Sequence, residues 1–558
     1  MTRGNGDERP IAAPSRRAGS AALLAITILA YLPVLQAGFI WDDDAYVTEN
    51  VTLRSLEGLR SIWLEPAALP QYYPVVHTSF WVEYALWELA PAGYHLVNVL
   101  LHALASILAW RVLARLAIPG AWLAAAIFAL HPVHVESVAW ITERKNVLSA
   151  CFYLAAALAY FRYEPPRRKA AEAARPIAWY AAALFLYLAA LLSKSVTASL
   201  PAALLLLLWW KRERFEWRSV LPLLPFFAVG AALGLHTAWL EQAHVGAQGA
   251  EWSLSVVERF LVSSRALCFY LGKLAWPWNL SFIYPRWHID GAEAVQYLFP
   301  LLAFALLGLA WLGRRRFGWG PLVALLYFAG SLFPALGFIN VYPHRFSYVA
   351  DHFQYLASLG PIAAVAAGGV LLAQRLPRRV SLAGAGLLLA LLGASVWQQS
   401  LVYRDPETLW RDTLIHNPDS YLAHSHLGNI LLRRGESRQA LDHYREALRV
   451  KPDDPASLNN MAWFLATTRD ETLRDGPEAL ALAERAARGV SYGNPVLLDT
   501  LAASQAEVGR FEQALETARQ ALQLALDLGD RELAREIRAR TRSYRARRPH
   551  RADPQTGP

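Results

Sequence analysis

Long apolar runs recur through the first four hundred residues of the chain, separated by short polar loops, and then they stop. Each run approaches the roughly 17–25 residues that an α-helix needs to cross a bilayer. The pattern predicts an all-α protein whose residues 20–400 form a bundle of about eleven membrane spans. The predicted spans are 20–38, 93–112, 119–138, 147–162, 177–193, 196–210, 220–239, 296–312, 321–340, 356–373 and 380–398.

One further apolar run, 259–276, is interrupted by Arg259, Arg265 and Lys273. Each basic side chain at mid-bilayer costs about 2.5–3.5 kcal/mol on insertion scales. The basic tail 1–19 is predicted to be cytoplasmic, and counting eleven spans leaves the later basic loop clusters on that side too. We therefore expect 259–276 to be an interfacial or re-entrant helix on the outer face.

Composition agrees with a membrane protein. The 558 residues are 55% hydrophobic, and the mean hydropathy is +0.22. The net charge of +9 resides in loops and tails, which argues against a nucleic-acid partner. Cys151 and Cys268 lie in apolar segments, so no disulfide framework is expected.

After residue 400 small residues recur at fixed offsets. Pro418 and Pro452 are 34 residues apart, the period of a tetratricopeptide repeat, and Gly428 occupies one of its small positions. We predict a soluble α-solenoid over 401–530 that binds a protein or peptide, with a purely structural role as the alternative. The basic residues 531–558 are predicted to be disordered. The three predicted units are about 421–454, 455–493 and 495–528.

Three consecutive carboxylates, Asp42, Asp43 and Asp44, follow the first apolar run directly. One interpretation is a solvated loop start. The other is catalytic, because the aromatic residues on either side would hold the carboxylates against the bundle, where one of them could take a proton from an attacking hydroxyl.

Polar residues inside the apolar part are the next candidates, since ionisable groups within a membrane are often functional. His95 and His102 share one helix face, although a hydrogen-bonded stripe between helices would explain them equally well. His131, His134 and Glu136 resemble a metal site, but Pro132 interrupts the helix and the zincin spacing is missing, which favours an anionic ligand.

Several cations fall on the predicted outer face, beginning with the Glu143-Arg144-Lys145 segment and Lys194. Cations there suit a phosphate or diphosphate group, with ordinary anchoring to lipid headgroups as the alternative. The predicted substrate-binding residues are His95, His102, His131, His134, Glu136, Arg144, Lys145, Lys194, Arg265, Lys273, Arg345, Asp351, His352 and Tyr355.

Five motifs occur in the order found in one known family. They are Phe-Ile-Trp-Asp-Asp-Asp from Phe39, Gly-Tyr-His-Leu-Val-Asn from Gly93, His-Pro-Val-His-Val-Glu from His131, Leu-Ser-Lys ending at Lys194, and Ala-Asp-His-Phe from Ala350. With the repeats that follow, they resemble the bacterial relatives of the transmembrane and tetratricopeptide-repeat O-mannosyltransferases. The resemblance covers nearly the whole chain.

The resemblance implies a GT-C glycosyltransferase that takes a sugar from a polyprenyl phosphate carrier. It matches Asp42 and Asp43 to the family's paired acids. The chain departs from the family at His352, where an Arg is common, and at Ser195, where an acid is common. The expected location is a bacterial inner membrane, with the repeats outside the cytoplasm. The expected acceptor is a hydroxyl group, such as that of a protein Ser or Thr, which would attack with inversion.

Two other functions fit the sequence. A membrane-tethered repeat scaffold for an envelope assembly would need no catalytic residues. A transporter of lipid-linked precursors is disfavoured because no internal repeat is visible in the spans. No cofactor is required by these observations, and a divalent metal is compatible with the acids and histidines.

Overall fold

The computed structural model of the protein describes residues 15–166, 176–213, 217–243, 249, 252–490 and 492–552. Every regular element in these ranges is helical, which confirms the all-α fold class. The chain divides into two compact units between Pro406 and Glu407, close to the predicted boundary.

The first unit contains seventeen α-helices within the described residues, joined by short 3₁₀ and π turns. They are α1 Arg16–Ala30, α2 Leu56–Leu64, α3 Pro74–Trp87, α4 Pro91–Arg115, α5 Ala121–Leu130, α6 Val135–Ala139, α7 Arg144–Tyr163, α8 Ile177–Leu191, α9 Leu200–Arg212, α10 Trp217–Val220, α11 Leu224–Ala243, α12 Val256–Ala275, α13 Leu298–Leu312, α14 Arg314–Phe317, α15 Gly320–Leu332, α16 Leu359–Ala373 and α17 Arg378–Val402.

Four helical stretches of the described chain are long and apolar enough to cross a membrane: Pro91–Arg115, Trp217–Leu240, Ala294–Leu312 and Arg378–Val402. A fifth crossing is a bent pair, and three shorter apolar helices accompany them. The first unit is therefore a multi-pass membrane domain. The predicted count of eleven spans stays a prediction, because several predicted runs form helices shorter than a full crossing.

The predicted span 119–138 is broken where Pro132 follows His131. Proline lacks the N–H that would continue the helix, and α5 ends at Leu130. A 3₁₀ turn follows, and then α6, bent by 57° from α5. The bend directs the chain after α6 toward the first aspartates, as the hydrogen bonds below show. The predicted interfacial segment 259–276 forms the 20-residue helix α12.

The second unit is a stack of paired helices, as the repeat pattern predicts. Alanines on the facing helices are fully buried, which lets each pair approach closely. A side chain at Gly428 would come within 2.4 Å of the Tyr444 ring, so this position requires glycine. The helices are α18 Pro406–His416, α19 Tyr421–Arg433, α20 Ser437–Val450, α21 Pro455–Thr467, α22 Gly476–Gly489, α23 Pro495–Glu507, α24 Phe511–Asp527 and α25 Arg531–Arg545.

The prediction of disorder over 531–558 is wrong for the described part of that segment. Helix α25 buries Ala534, Ile537 and Tyr544 completely, and its Arg540 pairs with Asp499 on α23 at 2.6 Å. The many charged residues on its outer face concealed this apolar stripe in the sequence. Residues 553–558 lie outside the described residues.

The residues after α25 lie against the ends of α21 and α23. The His550 ring is 5.7 Å from the Trp463 ring. Arg551 donates to Glu507 at 2.6 Å, and the Ala552 backbone N–H donates to the Thr467 carbonyl at 3.0 Å. We call residues 546–552 the C-terminal strap.

We expect deletion of residues 547–558 to lower the melting temperature of the isolated repeat unit by several degrees. The deletion removes two charge-assisted hydrogen bonds, from Arg547 to Glu512 and from Arg551 to Glu507, and it uncovers Trp463. Thermal unfolding followed by circular dichroism measures the effect. Arg548→Ala is the matched control, since that side chain is exposed. An unchanged melting temperature in the deletion variant would show that the strap adds no stability.

Candidate functional site

The three aspartates lie in a tight turn after α1. Trp41, just before them, has a left-handed backbone with φ +41°, which is strained for a residue other than glycine. Its ring stacks on Trp140 with 5.5 Å between centroids and meets Phe282 edge-on at 5.3 Å. This aromatic packing holds the strained turn in place.

Asp43 is fully buried, and both of its carboxylate oxygens accept hydrogen bonds. The Ile40 N–H donates at 2.9 Å, while the Thr142 N–H and hydroxyl donate at 2.8 and 2.7 Å. Burial outweighs these bonds and raises the pKa of Asp43 to about 7. Through these hydrogen bonds Asp43 links the turn to Thr142, in the residues that follow α6.

Asp42 is in the opposite situation. Its side chain is partly exposed, and among the described residues none donates a hydrogen bond to its carboxylate. Burial raises the pKa of Asp42 to about 6, opposed by the positive charge of Lys145. Of the two predicted catalytic acids, Asp42 has the accessible oxygens.

Glu143 lies at the centre of a group of buried charges. Its carboxylate is 3.0 Å from the Lys145 ammonium and 3.1 Å from the Lys194 ammonium. Burial alone would raise the pKa of Glu143, but His352 and the two lysines more than offset it, so the pKa lies well below its usual value. Burial lowers the pKa of Lys194 to about 8, against the attraction of Glu143.

His352 joins this group through Glu136. The imidazole Nδ1 is 3.0 Å from one Glu136 oxygen, and the His352 backbone N–H donates to the other at 2.9 Å. Asn146 links the parts, because it donates to the His352 carbonyl at 3.1 Å and accepts from Lys194 at 2.7 Å. We call Glu136, Glu143, Lys145, Lys194 and His352 the Glu143 cluster.

Four predicted binding residues, Glu136, Lys145, Lys194 and His352, thus come together. Asp42 interacts electrostatically with two of them, Lys145 and His352. Glu143 and Asn146 were not predicted as site residues, although Glu143 begins the charged segment Glu143-Arg144-Lys145 and Asn146 follows it directly. Both residues could have been found from their position between two apolar runs, because a polar group in such surroundings needs a polar partner.

The predicted histidines other than His352 make hydrogen bonds to the bundle outside the Glu143 cluster. His102 donates to the Ala129 carbonyl at 3.0 Å and accepts from the Tyr355 hydroxyl at 2.6 Å. His134 donates to the Phe128 carbonyl at 2.7 Å. For His102 this geometry fits the alternative interpretation of a hydrogen-bonded stripe between helices. The binding role of His102 and His134 stays a prediction. His95 and His131 likewise contact the carbonyls of Gly38, at 3.4 Å, and Leu274, at 3.0 Å.

Arg144, also a predicted binding residue, is not part of the Glu143 cluster. Its guanidinium is completely buried and forms an ion pair with both carboxylate oxygens of Glu83. It also donates hydrogen bonds to the Asn98 side-chain oxygen and to the Tyr94 carbonyl. The buried Arg144 guanidinium thus links α7 to Glu83 on α3 and to Asn98 and Tyr94 on α4, and these contacts use its hydrogen-bond donors inside the bundle.

The remaining predicted residues contact neighbours outside the Glu143 cluster. Arg265 lies 4.4 Å from the Trp287 ring centroid, and Lys273 donates to the Trp278 and Asn279 carbonyls at 2.7 and 2.8 Å. Arg345 donates to the Tyr342 hydroxyl at 2.8 Å, and Asp351 accepts from the Tyr284 hydroxyl at 3.0 Å.

One group of potential metal ligands occurs among the described residues. Donor atoms of His288, Asp290 and Glu293 lie within 4.8 Å of one another. His288 and Glu293 are exposed, and none of the three contacts the Glu143 cluster. This geometry does not connect a metal with the candidate site.

Comparison with known proteins agrees with both units. The family model described as Tetratricopeptide repeat matches residues 407–527. Protein O-mannosyl-transferase Tmtc1 of Drosophila melanogaster is 35% identical over 158 residues, which are 26% of this chain and 18% of the relative. Human protein O-mannosyl-transferase TMTC1 is 25% identical over 543 residues, covering 84% of this chain and 60% of the relative.

The chain is thus similar in sequence to TMTC protein O-mannosyl-transferases, and it spans 60% or less of the length of these two. A crystal structure of ArnT from Cupriavidus metallidurans bound to undecaprenyl phosphate aligns with a TM-score of 0.35 at 17% identity, covering 86% of this chain and 88% of that one.

Proposed function

We propose that this protein is a GT-C membrane glycosyltransferase that moves a sugar from a polyprenyl phosphate carrier to a hydroxyl group at the outer face of a bacterial inner membrane. The observation that carries the proposal is the accessible Asp42 carboxylate, which interacts electrostatically with Lys145, a member of the Glu143 cluster. The names of the relatives favour mannose as the sugar and a protein hydroxyl as the acceptor.

The reaction needs a base and a way to stabilise the leaving group. Asp42 takes the proton of the acceptor hydroxyl as its oxygen bonds to the anomeric carbon. The bond from that carbon to the phosphate oxygen breaks on the opposite face, so the configuration inverts. Lys145 and Lys194 stabilise the negative charge on the departing polyprenyl phosphate.

Glu143 holds both ammonium groups in place before the donor arrives. A donor phosphate then adds to a preassembled pair of cations, which avoids the cost of ordering two long side chains. Because Glu143 already balances part of their charge, the phosphate can also leave after transfer. The repeat unit recruits the acceptor or a protein partner in this proposal.

The direct test uses membranes containing the full-length protein, radiolabelled mannosyl phosphoryl polyprenol and a peptide rich in Ser and Thr. Labelled peptide that forms only with the lipid-linked donor supports the proposal. The scaffold alternative gives a different result: no transfer, and restored envelope function in a deletion strain when the repeats are tethered by an unrelated span.

We expect kcat/KM to be bell-shaped in pH, with limbs near the pKa values of Asp42 and Lys194, about 6 and about 8. Below pH 6 the base is protonated and the rate falls about tenfold per pH unit. Above pH 8 Lys194 loses the charge that stabilises the phosphate. Lys194→Arg should remove the alkaline limb, because arginine stays protonated. An alkaline limb that survives in this variant would exclude Lys194 as its source.

A further inference from the structure

An apolar cavity of about 540 Å³ lies between α4, α7, α9, α15 and α16. Its walls include Leu113, Leu154, Leu204 and Ala363, and no residue of the Glu143 cluster lines it. Its volume falls in the range of small-molecule sites in proteins. The proposed transfer reaction makes no use of this space.

The cavity lies farther along the same helices that begin at the candidate site. Helix α7 starts next to Glu143 and reaches the cavity at Tyr153 and Ala157, about 14–20 Å along the helix axis at 1.5 Å per residue. Helix α9 starts shortly after Lys194 and ends beside the cavity at Lys211, about 17 Å from its first residue.

The far end of the cavity carries two cations and two tryptophans. Lys211 and Arg316 both line it, as do Trp210 and Trp319. The Lys211 ammonium lies 3.6 Å from the Trp210 ring centroid. Tryptophan with basic residues is the usual composition of a membrane–water interface, and basic pockets between membrane helices bind anionic lipid headgroups.

We propose that this cavity binds an anionic glycerophospholipid, with an acyl chain among the apolar walls and the phosphate at Lys211 and Arg316. The inference does not depend on the proposed transfer activity. A polyprenyl carrier bound for transfer would be oriented the other way, with its phosphate at Lys194. The rim favours entry from the bilayer, because Phe317 and Leu371 are 68% and 52% exposed.

The test places the full-length protein in phosphatidylcholine nanodiscs containing a trace of phosphatidylglycerol with a photoreactive diazirine on its acyl chain. A parallel sample contains the same probe on phosphatidylcholine. After irradiation, mass spectrometry maps the labelled peptides. We expect the phosphatidylglycerol probe to label cavity segments of α9 and α16 about tenfold more than the phosphatidylcholine probe. Labelling of the exposed helix α17 is the internal reference.

Two sets of variants sharpen the test. Gly368 lines the cavity and Gly369 does not, and a Cβ at either position meets open space. Gly368→Phe should remove cavity labelling, whereas Gly369→Phe should keep it. Lys211→Gln combined with Arg316→Gln should bring the two probes to equal labelling.

Three results would overturn the inference: equal labelling by both probes in the wild-type protein, full labelling in Gly368→Phe, or displacement of the phosphatidylglycerol probe by added undecaprenyl phosphate. The last result would assign the cavity to the carrier chain. Because α17 labelling reports on insertion in every variant, a misfolded variant is recognised independently.

Discussion

Replacing Asp42 with Asn is expected to reduce kcat/KM for sugar transfer by about 10²–10⁴-fold, the usual contribution of a general base. Asparagine preserves the size of the side chain but cannot take the acceptor's proton. The Asp42 carboxylate makes no hydrogen bond within the described chain, so the variant should keep the wild-type melting temperature. The labelled-donor assay and a thermal scan of the purified protein measure the two quantities.

Asp44→Asn is the matched control, because this neighbouring carboxylate is exposed and its one side-chain hydrogen bond among the described residues is accepted from the Thr48 hydroxyl at 3.0 Å. It should transfer sugar at the wild-type rate. Asp43→Asn should lose both stability and activity, since an amide cannot accept all three hydrogen bonds that Ile40 and Thr142 donate. Wild-type transfer by Asp42→Asn would remove Asp42 from the mechanism.

The second large effect concerns stability. Glu83→Gln leaves the buried Arg144 guanidinium without its counter-ion, which typically costs about 3–5 kcal/mol. We expect a clear fall in melting temperature in detergent, measured by fluorescence-detected size-exclusion chromatography after heating. The exposed pair Arg60–Glu57, 3.6 Å apart, provides the control, and Glu57→Gln should change nothing measurable.

A double variant separates lost charge balance from lost packing. Glu83→Leu with Arg144→Met removes both charges and keeps similar volume, so it should recover much of the stability that Glu83→Gln loses. If Glu83→Gln melts at the wild-type temperature, the pair does not hold the three helices together.

Periodicity in the sequence was enough to predict the helical class and the repeats. It could not separate Arg144 from Lys145, because adjacent residues on a helix point in different directions and only packing decides which one faces Glu83. Proximity in sequence likewise grouped the histidines with Glu136, whereas hydrogen bonds to the Leu274 carbonyl for His131 and to the Phe128 carbonyl for His134 set their positions. Helix α25 was not predicted from the sequence, because it has many charged residues and only a narrow apolar stripe, formed by Ala534, Ile537 and Tyr544.

The hydrogen bond from His352 to Glu136 joins residues 216 positions apart. At the usual 5–20 residues per second, a ribosome takes about 10–40 s to supply the second partner after the first. During that interval the chain is only partly inserted, and Glu136 lacks its contacts with His352. The Glu143 cluster is therefore among the last parts of the membrane unit to assemble, and truncated or stalled chains cannot carry a complete site.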